Sequence, residues 1–494
     1  MNTPRLNSHN KLTHRYTMKE NKLSIKASQI PAESPSRVTR RQFLAGASVA
    51  ALAGISIVPS HVLGADDQPA PSERLNLAGV GIGGVGHGQL QELEKAGFRI
   101  AALCDVDEVY AKKTFDIWPQ ARRYRDFREM LETEADKIDA VYVGTPDHSH
   151  ASITLAALRK KKAVVCVKPL TRTVQELRVV TEAVRKAGVA TQVTAAPNTD
   201  ETACRTCELI GAGAIGQVRE VHIWSNRPWW PQGMRRPPGA DAIPATLDWK
   251  LWLGPAPERP FKDVWPGDAL EMAQINAYRN GIGLSRGVYH PFNFRGWWVF
   301  GTGALGDMGC HHFNTPFRAL QLGYPITIQA TASRLFEETA PLASMVTYDY
   351  PARAGMPPVR VIWYDGGLKP ATPRQLGDQP LGDEGVIYVG DEGKMLGRDI
   401  LDPAREKKFK DVPKTLERRG GTWKEFMEAC KGGQKAGCNF DWAGPLTETV
   451  LLGNAAIRRE KCLAYDATAM KFTNDEKANL YLAADYRNGW KLEE

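Results

Sequence analysis

Beyond its first 64 residues, this 494-residue chain carries almost no net charge. The formal +8 comes from the leader, where Arg5, Lys11, Arg15, Lys19, Lys22, Lys26, Arg37, Arg40 and Arg41 face only Glu20 and Glu33. The rest balances 55 basic against 54 acidic side chains. Such a body offers no electrostatic footing for nucleic acid or for an anionic lipid surface. Cysteine is sparse: eight are scattered along the chain, and the only close pair is Cys204 and Cys207 in CRTC. No second CxxC and no HxxxH accompanies it, so two ordinary thiols on a helix are expected and no metal site is. Disulfide-framework spacing is missing too, as in a chain that folds in a reducing compartment. Long apolar runs are absent. The charge-free stretch Phe43 to Val58 has 16 residues, short of the roughly 20 that span a bilayer, and is rich in Ala, Gly and Ser.

What the front of the chain does have is an export pattern. Residues 1–37 are polar, lack apolar periodicity and are expected to be disordered. Arg40-Arg41-Gln42-Phe43-Leu44 then opens the weakly apolar run, which matches a twin-arginine signal, with Gly64 and Ala65 as a cleavage region. The competing reading is an uncleaved N-terminal anchor. Either places the body outside the cytoplasm, with no stable membrane span after cleavage. The twin-arginine route carries folded proteins, so a cofactor bound beforehand travels with them.

The next stretch has the parts of a dinucleotide site in order. Leu75 to Val80 reads as a buried strand and Gly81-Ile82-Gly83-Gly84-Val85-Gly86 as a G-x-G-x-x-G turn. Gly88 to Lys95 reads as a helix, and Phe98 to Cys104 as a second strand ending at Asp105. Gly81 serves the tight turn, Gly83 lets backbone approach a pyrophosphate, and Gly86 allows close packing of helix on strand. The helix N-terminus offers free N–H groups to phosphate. Asp105, 19 residues after Gly86, is placed to accept a ribose 2′-hydroxyl and to repel a 2′-phosphate, which favours NAD over NADP. Alternation continues with helix Phe127 to Glu132, strand Ala140 to Gly144, helix Ala151 to Lys160, strand Ala163 to Val167, helix Val174 to Ala187 and strand Ala190 to Thr194. Such βα repetition makes a doubly wound parallel sheet with its ligand at the strand C-terminal ends. Thr145, Pro146, His150, Lys168 and Pro169 fall at those ends. The His148–His150 pair lacks a nearby third ligand, so capping or cofactor contact is expected of His150 rather than metal.

These residues resemble the glucose–fructose oxidoreductase, inositol dehydrogenase and rhizopine-catabolism (Gfo/Idh/MocA) family. The marks are GIGGVG, Thr145-Pro146-Asp147 with His150, Lys168-Pro169 in VVCVKPL, and GTGALGDMGCHH from Gly301. The leader style and the ending Arg487 to Trp490 (RNGW) resemble exported members of planctomycete type. Family members carry Glu-Lys-Pro where this chain has Val167-Lys168-Pro169, so the lysine and proline transfer and the glutamate does not. The resemblance implies a Lys-Pro bond that is often cis, and a C-terminal domain whose open sheet face packs on another subunit in a homodimer or homotetramer.

From about Thr202 the pattern shifts. A helix from Cys204 to Gly211 precedes alternating strands at Gly216 to Trp224, Ile326 to Leu335, Ala343 to Tyr350, Val359 to Tyr364, Val386 to Val389 and Lys394 to Leu396. The expected fold is α/β: a leader at 1–64, a Rossmann domain at 73–196, and an α+β domain at 197–494 with a large, mostly antiparallel sheet. Trp423 to Cys430 and Pro445 to Glu460 read as packing helices. Asp307 and His311 lie four apart on the helix opened by GALGD, on one face, and match the family's Asp-x-x-x-His. Oxidising a secondary alcohol removes a hydroxyl proton as a hydride leaves carbon. His311 has the pKa range of a base, Asp307 orients it or bonds substrate, and Lys168 polarises the oxygen. His312, about 100° around the helix, is the rival base. The Trp- and Arg-rich stretches 224–236 and 289–298 suit sugar stacking or subunit wrapping; Arg295 and Trp297 are the substrate candidates. The leading expectation is an exported NAD-dependent oxidoreductase for a carbohydrate or polyol hydroxyl, with tightly held cofactor. A redox-neutral glycosidase, lyase or epimerase of the same fold is the alternative, and a non-catalytic NAD sensor a weaker one.

Overall fold

Short all-apolar strands alternate with helices through residue 193, and the first half folds on that pattern. The computed structural model describes residues 74–266, 287–487 and 489–492, all of them in one unit of the chain. The leader readings, from the polar start through Arg40-Arg41 to Gly64 and Ala65, lie outside the described residues. Strands β1 (Asn76–Val80), β2 (Arg99–Cys104), β3 (Arg122–Tyr124), β4 (Ala140–Val143), β5 (Ala163–Cys166) and β6 (Thr191–Val193) form one sheet in the order β3-β2-β1-β4-β5-β6. Every pairing is parallel. β4 and β5 are buried at each position, as strands covered by helices on both faces must be. The strand order reverses between β1 and β4, and the crevice beyond their C-terminal ends is where such sheets bind ligands.

The helices of this half are α1 (Val85–Lys95), α2 (Glu108–Ile117), α3 (Phe127–Glu134), α4 (His150–Arg159) and α5 (Val174–Ala187). α5 shows why local sequence suffices. Thr173 and Glu176 form a reciprocal capping box, Gly188 closes the helix in the left-handed region, and Val174, Leu177, Val180 and Val184 make its buried stripe. α1 starts at Val85, three residues before the expected Gly88, so the glycine turn runs straight into its first turn. α2, unforeseen from sequence, is capped by the Asp107 carboxylate, which accepts from the Val109 and Tyr110 amides.

The second half is a nine-stranded sheet. Its strands are β7 (Val218–Trp224), β8 (Thr327–Ala332), β9 (Ser344–Tyr350), β10 (Val359–Tyr364), β11 (Gly385–Gly390), β12 (Lys394–Leu396), β13 (Asp399–Ile400), β14 (Leu463–Asp466) and β15 (Lys471–Phe472). They lie in the order β13-β12-β11-β7-β10-β9-β8-β14-β15. Only β7 and β10 pair in parallel. β9 buries every second side chain, the mark of a sheet with one covered face. After α6 (Glu201–Gly211) and α7 (Trp249–Leu253), that face is covered by α8 (Gly303–His312) and, beyond α9 (Thr422–Cys430), by α10 (Phe440–Arg459). Val346, Tyr348, Val361 and Trp363 pack there with Leu305, Leu446 and Val450. Each such side chain contributes about 1.5–3 kcal/mol by leaving water.

α10 serves both halves. Phe440 and Ala443 at its start sit in the core beneath the parallel sheet, while its later turns sit in the second core. Glu448 on α10 takes a two-pronged bond from Arg178 on α5, at 2.6 Å for each prong. α9 sends Phe426 against Phe98 below β2. These contacts fix the reaction helix α8 relative to the strand ends of the first sheet.

Candidate active site

The glycine turn is held by steric need. Gly81 has φ +74, donates its N–H to the Cys104 carbonyl at 2.9 Å, and would press a Cβ to 2.5 Å from the Thr145 amide nitrogen. A Cβ on Gly86 would strike the Gly81 carbonyl, so helix and turn could not close. On Gly83 it would enter the ring of Tyr110 and on Gly84 it would strike the Tyr110 hydroxyl, so the chain's own tyrosine, and not only an approaching phosphate, crowds these positions. α1 begins with no side-chain cap and no acidic residue in its first turn. Its N-terminal dipole is therefore free to meet an anion.

Asp105 is buried against this turn. One carboxylate oxygen accepts the Ile82 and Gly83 amides at 2.9 and 3.2 Å, and the other accepts the Asp107 amide at 3.0 Å. Burial raises its pKa, and these bonds oppose the rise. Asp105 thus shapes the turn as well as facing the crevice.

A cavity of about 470 Å³ opens over the turn. Of the residues expected to meet a cofactor, Gly81, Gly83, Gly84, Val85, Asp105, Thr145, Pro146 and Lys168 line it. Ile82 is fully buried beneath the turn, while Gly86 and Pro169 lie behind the lining. His150 corrects its expectation of cofactor contact. It is wholly buried, and its two ring nitrogens reach the carbonyls of Pro169 and Thr145, each at 2.8 Å. Two acceptor partners call for two N–H donors, hence a charged ring. Against the pull of burial, Cys166 and Asp147 hold its pKa up at about 9. His150 is a strut tying the Thr145 turn to Lys168-Pro169, a bond that is cis.

α8 carries Asp307, which bonds two residues that line this cavity, Lys168 and Arg295. Its start is bolted to the first half: the Thr302 hydroxyl donates to Asp147 at 2.7 Å, and the Thr302 carbonyl accepts from Asn454 of α10 at 2.9 Å. Asp307 then meets three cations. Lys168 Nζ donates to its Oδ1 in a very short bond, Arg295 Nε donates to the same oxygen at 3.1 Å, and Arg227 Nε lies 3.9 Å from Oδ2. Burial favours the acid form of Asp307, yet the charges of Lys168 and Arg295 hold the carboxyl well below the usual range. One turn on, burial and the charge of Lys168 push His311 down to about 3, leaving a neutral imidazole. His312 faces elsewhere, its Nε2 3.6 Å from Glu384, too long for a hydrogen bond. Glu384 also takes Arg227 at 2.7 Å and the Ser225 hydroxyl at 3.1 Å; His312 and Arg227 hold its pKa down near 2.

Residues 75–195 match the Gfo/Idh/MocA model, described as an oxidoreductase family with an NAD-binding Rossmann fold. Residues 75–195, about a quarter of the chain, are therefore similar to the NAD-binding Rossmann domain of that oxidoreductase family. The chain is similar to inositol 2-dehydrogenase of Salmonella paratyphi B, 29% identical across 147 residues, covering 29% of this chain and 43% of the relative. The enzyme of that name from Rubrobacter xylanophilus is 30% identical over 148 residues, covering 29% and 42%. The chain therefore spans less than half the length of these relatives. Two solved structures share the fold across both halves. The WlbA dehydrogenase from Bordetella pertussis, in complex with NADH and UDP-GlcNAcA, aligns with TM-score 0.54 at 13% identity over 80% of this chain and 99% of its own. GenD2 from gentamicin A biosynthesis, in complex with NAD, aligns with TM-score 0.50 at 18% identity over 82% and 99%.

The site fits a dinucleotide on this chain's own features: an uncapped helix start, a glycine cradle that a Cβ would fill, and a cavity reaching Lys168. Val167, standing where family members carry glutamate, is buried and apolar and lines that cavity. The carboxylate beside Lys168 comes instead from Asp307. Trp297 corrects its expectation as a substrate residue. It is 1% exposed, donates to the Val288 carbonyl at 2.9 Å and packs edge-on to Tyr289 inside an aromatic core. Arg295, two residues earlier, lines the cavity. Arg227, Glu384 and Tyr110 were not singled out from sequence, and Asp147 was named only as part of the Thr145-Pro146-Asp147 mark. Arg227 had a signal in the Trp- and Arg-rich stretch, where it now lies 3.4 Å over Trp229; Glu384 had none.

Proposed function

We propose that the protein is an NAD-dependent oxidoreductase that removes a hydride from a hydroxyl-bearing carbon of a sugar or polyol, outside the cytoplasm, with its cofactor held between turnovers. One observation carries this reading: Lys168, which lines the cavity that contains the GIGGVG turn, is bonded to Asp307, and its charge acts on His311 one helical turn on. NAD supplies the hydride acceptor. Lys168 offers a positive charge to the oxygen as it turns into a carbonyl. His311, neutral at working pH, accepts the hydroxyl proton. Asp307 holds the Lys168 ammonium in place. Arg227, Arg295 and Glu384 supply donors and an acceptor for the remaining hydroxyls.

Export rests on the twin-arginine pattern at Arg40-Arg41, and assembly as a homodimer or homotetramer rests on the family resemblance. Outside the cell there is no free nicotinamide pool, so the cofactor must be restored in place by a second substrate or by a redox-neutral cycle.

The test is extraction and turnover together. Denatured mature protein should release one NAD per chain, and a panel of sugars, polyols and glycosides should yield an oxidised product by mass. A protein that carries no NAD and takes none up would overturn the redox reading, and cleavage or epimerisation without net oxidation would replace dehydrogenation with the redox-neutral alternative.

A further inference from the structure

The cavity has two ends. Lys168 and Arg295 mark the reacting end through their bonds to Asp307. The turn at Gly83 and Gly84 lies between, and Arg125, Asp126 and Phe127, just past β3, mark the other end. If the hydride is exchanged beside Lys168, a dinucleotide with its pyrophosphate on the turn must lay its adenosine toward Phe127. One residue at that end comes from neither sheet. Trp490, near the C-terminus, lines the cavity there.

Its position is engineered by several contacts. Arg487 donates to the carbonyls of Gly254 and Lys250 at 2.5 Å each and pairs with Glu258 at 2.5 Å, while its amide donates to Pro255 at 3.1 Å. That fixes the tail on and just after α7, whose Leu251 and Trp252 also line the cavity. The Trp490 amide then donates back to the Arg487 carbonyl at 3.1 Å. Its indole sits 6.1 Å from Phe127, with the Arg128 guanidinium 4.9 Å over its ring and Arg128 itself held by Asp126. Leu492 packs on the core under the parallel sheet. Earlier, the Tyr486 hydroxyl donates to Glu176 of the α5 capping box at 2.8 Å. The tail is thus stapled on both sides of the cavity mouth, and no contact among these explains why a large aromatic ring should face the cavity.

We propose that Trp490 is the adenine-stacking wall of the cofactor site, positioned by Arg487, and that it slows release of the dinucleotide. This rests on the NAD reading above. An indole offers a broad flat surface to a purine, and the Arg128 guanidinium over its ring stiffens it. A base stacked on Trp490 must part from that ring before the dinucleotide leaves, which suits an enzyme that keeps its cofactor outside the cell.

The experiment uses the full mature chain and four probes: NAD, ADP-ribose, AMP and nicotinamide mononucleotide. One base–aromatic stack corresponds to roughly 5- to 150-fold in affinity. Trp490→Ala should weaken AMP, ADP-ribose and NAD binding by a factor in that range, leave nicotinamide mononucleotide unchanged, and speed loss of bound NAD on dialysis. Trp490→Phe should restore most of the AMP affinity, and Arg487→Ala should weaken AMP in the same direction as Trp490→Ala. The Phe variant keeps the test sharp if the Ala variant melts early. AMP affinity within twofold of the parent in Trp490→Ala, or equal losses for AMP and nicotinamide mononucleotide, would overturn the stacking role alone. A parent that binds none of the four probes would overturn the NAD reading beneath it.

Discussion

Replacing Lys168 with alanine separates catalysis from architecture, because the two effects differ in size here. A preorganised donor to a developing oxyanion is worth about a hundred- to a thousandfold in turnover. Lys168 and Asp307 are 16% and 10% exposed at the side chain, so water does little to dilute that effect. Removing one partner of a buried pair ordinarily strands a charge at about 3–5 kcal/mol. Here Arg295 remains 3.1 Å from Oδ1 and Arg227 3.9 Å from Oδ2, so Asp307 keeps countercharge. The structural cost then falls toward about 1 kcal/mol, a melting shift of only a few degrees. The expected result is turnover reduced at least about a hundredfold, followed as reduced nicotinamide in a single turnover of the NAD-loaded enzyme, with a nearly parental melting temperature. Lys168→Arg should recover little, since a planar fork does not replace a compact ammonium. Turnover within fivefold of the parent would refute the polarising role. So would a loss of rate that simply follows a large loss of fold.

Four further outcomes are expected. His311 and His148 are each pushed down to about 3 by burial, below the ordinary histidine value, so the unfolded chain binds more protons in the window between about 6.5 and 3. Stability should therefore fall as pH drops through that window, by up to about 1.4 kcal/mol per pH unit for each ring, and denaturant titrations that stay flat from pH 7 to 5 would contradict the buried neutral rings. His150, held up at about 9, works the other way: its contribution is complete below about 6.5 and fades as pH rises to 9, so His150→Gln should flatten the alkaline limb of the same titrations. Gly86→Ala should abolish nucleotide binding or folding because its Cβ meets the Gly81 carbonyl, whereas Gly88→Ala, with open space around the Cβ, should stabilise α1 by about 0.5–1 kcal/mol; equal behaviour of the two in melting and NAD binding would refute the packing argument. Asp307→Asn leaves three cations facing one another and should cut turnover at least tenfold, with part of that loss restored by adding Val167→Glu; no restoration in the double variant would separate the two carboxylate positions.

The first sheet was legible because its signals are local. β4 and β5 are apolar throughout, their turns are marked by Gly and Pro, and α5 carries both caps in its own sequence. α2 was not, since only Ala111, Thr114 and Phe115 face inward and the stripe is too thin to stand out. In the site, Asp307 and His311 were visible through helical spacing. Glu384 was not, because it meets Arg227 across 157 residues through the pairing of β11 with β7, which no periodicity announces. Trp297 shows the converse limit. Arg295 and Trp297 flank a tight turn that sends one side chain to the cavity and the other into the aromatic core, and adjacent residues in such a turn read alike. His150 sits at a strand end, where ligands are expected, but its ring turns inward to two carbonyls.

The apolar residue at position 167 leaves the charge of the site to be balanced from the second half of the chain. An apolar Val167 gives Lys168 no anion from its own strand, so its ammonium turns across the cavity to Asp307. Asp307 Oδ1 is then shared by Lys168 and Arg295, and Oδ2 faces Arg227. A carboxylate committed to three cations has little left with which to raise the basicity of His311. The neutral state of His311 follows instead from burial and from the nearby Lys168 charge. Under the proposed mechanism, proton transfer to such a weakly basic ring is favourable only as Lys168 stabilises the negative charge developing on the substrate oxygen, so the two residues would act on the same oxygen in the same step. That requirement explains why they approach from opposite halves of the chain, and why α8 is bolted to the first sheet at Thr302 and Asp147 rather than left to pack loosely.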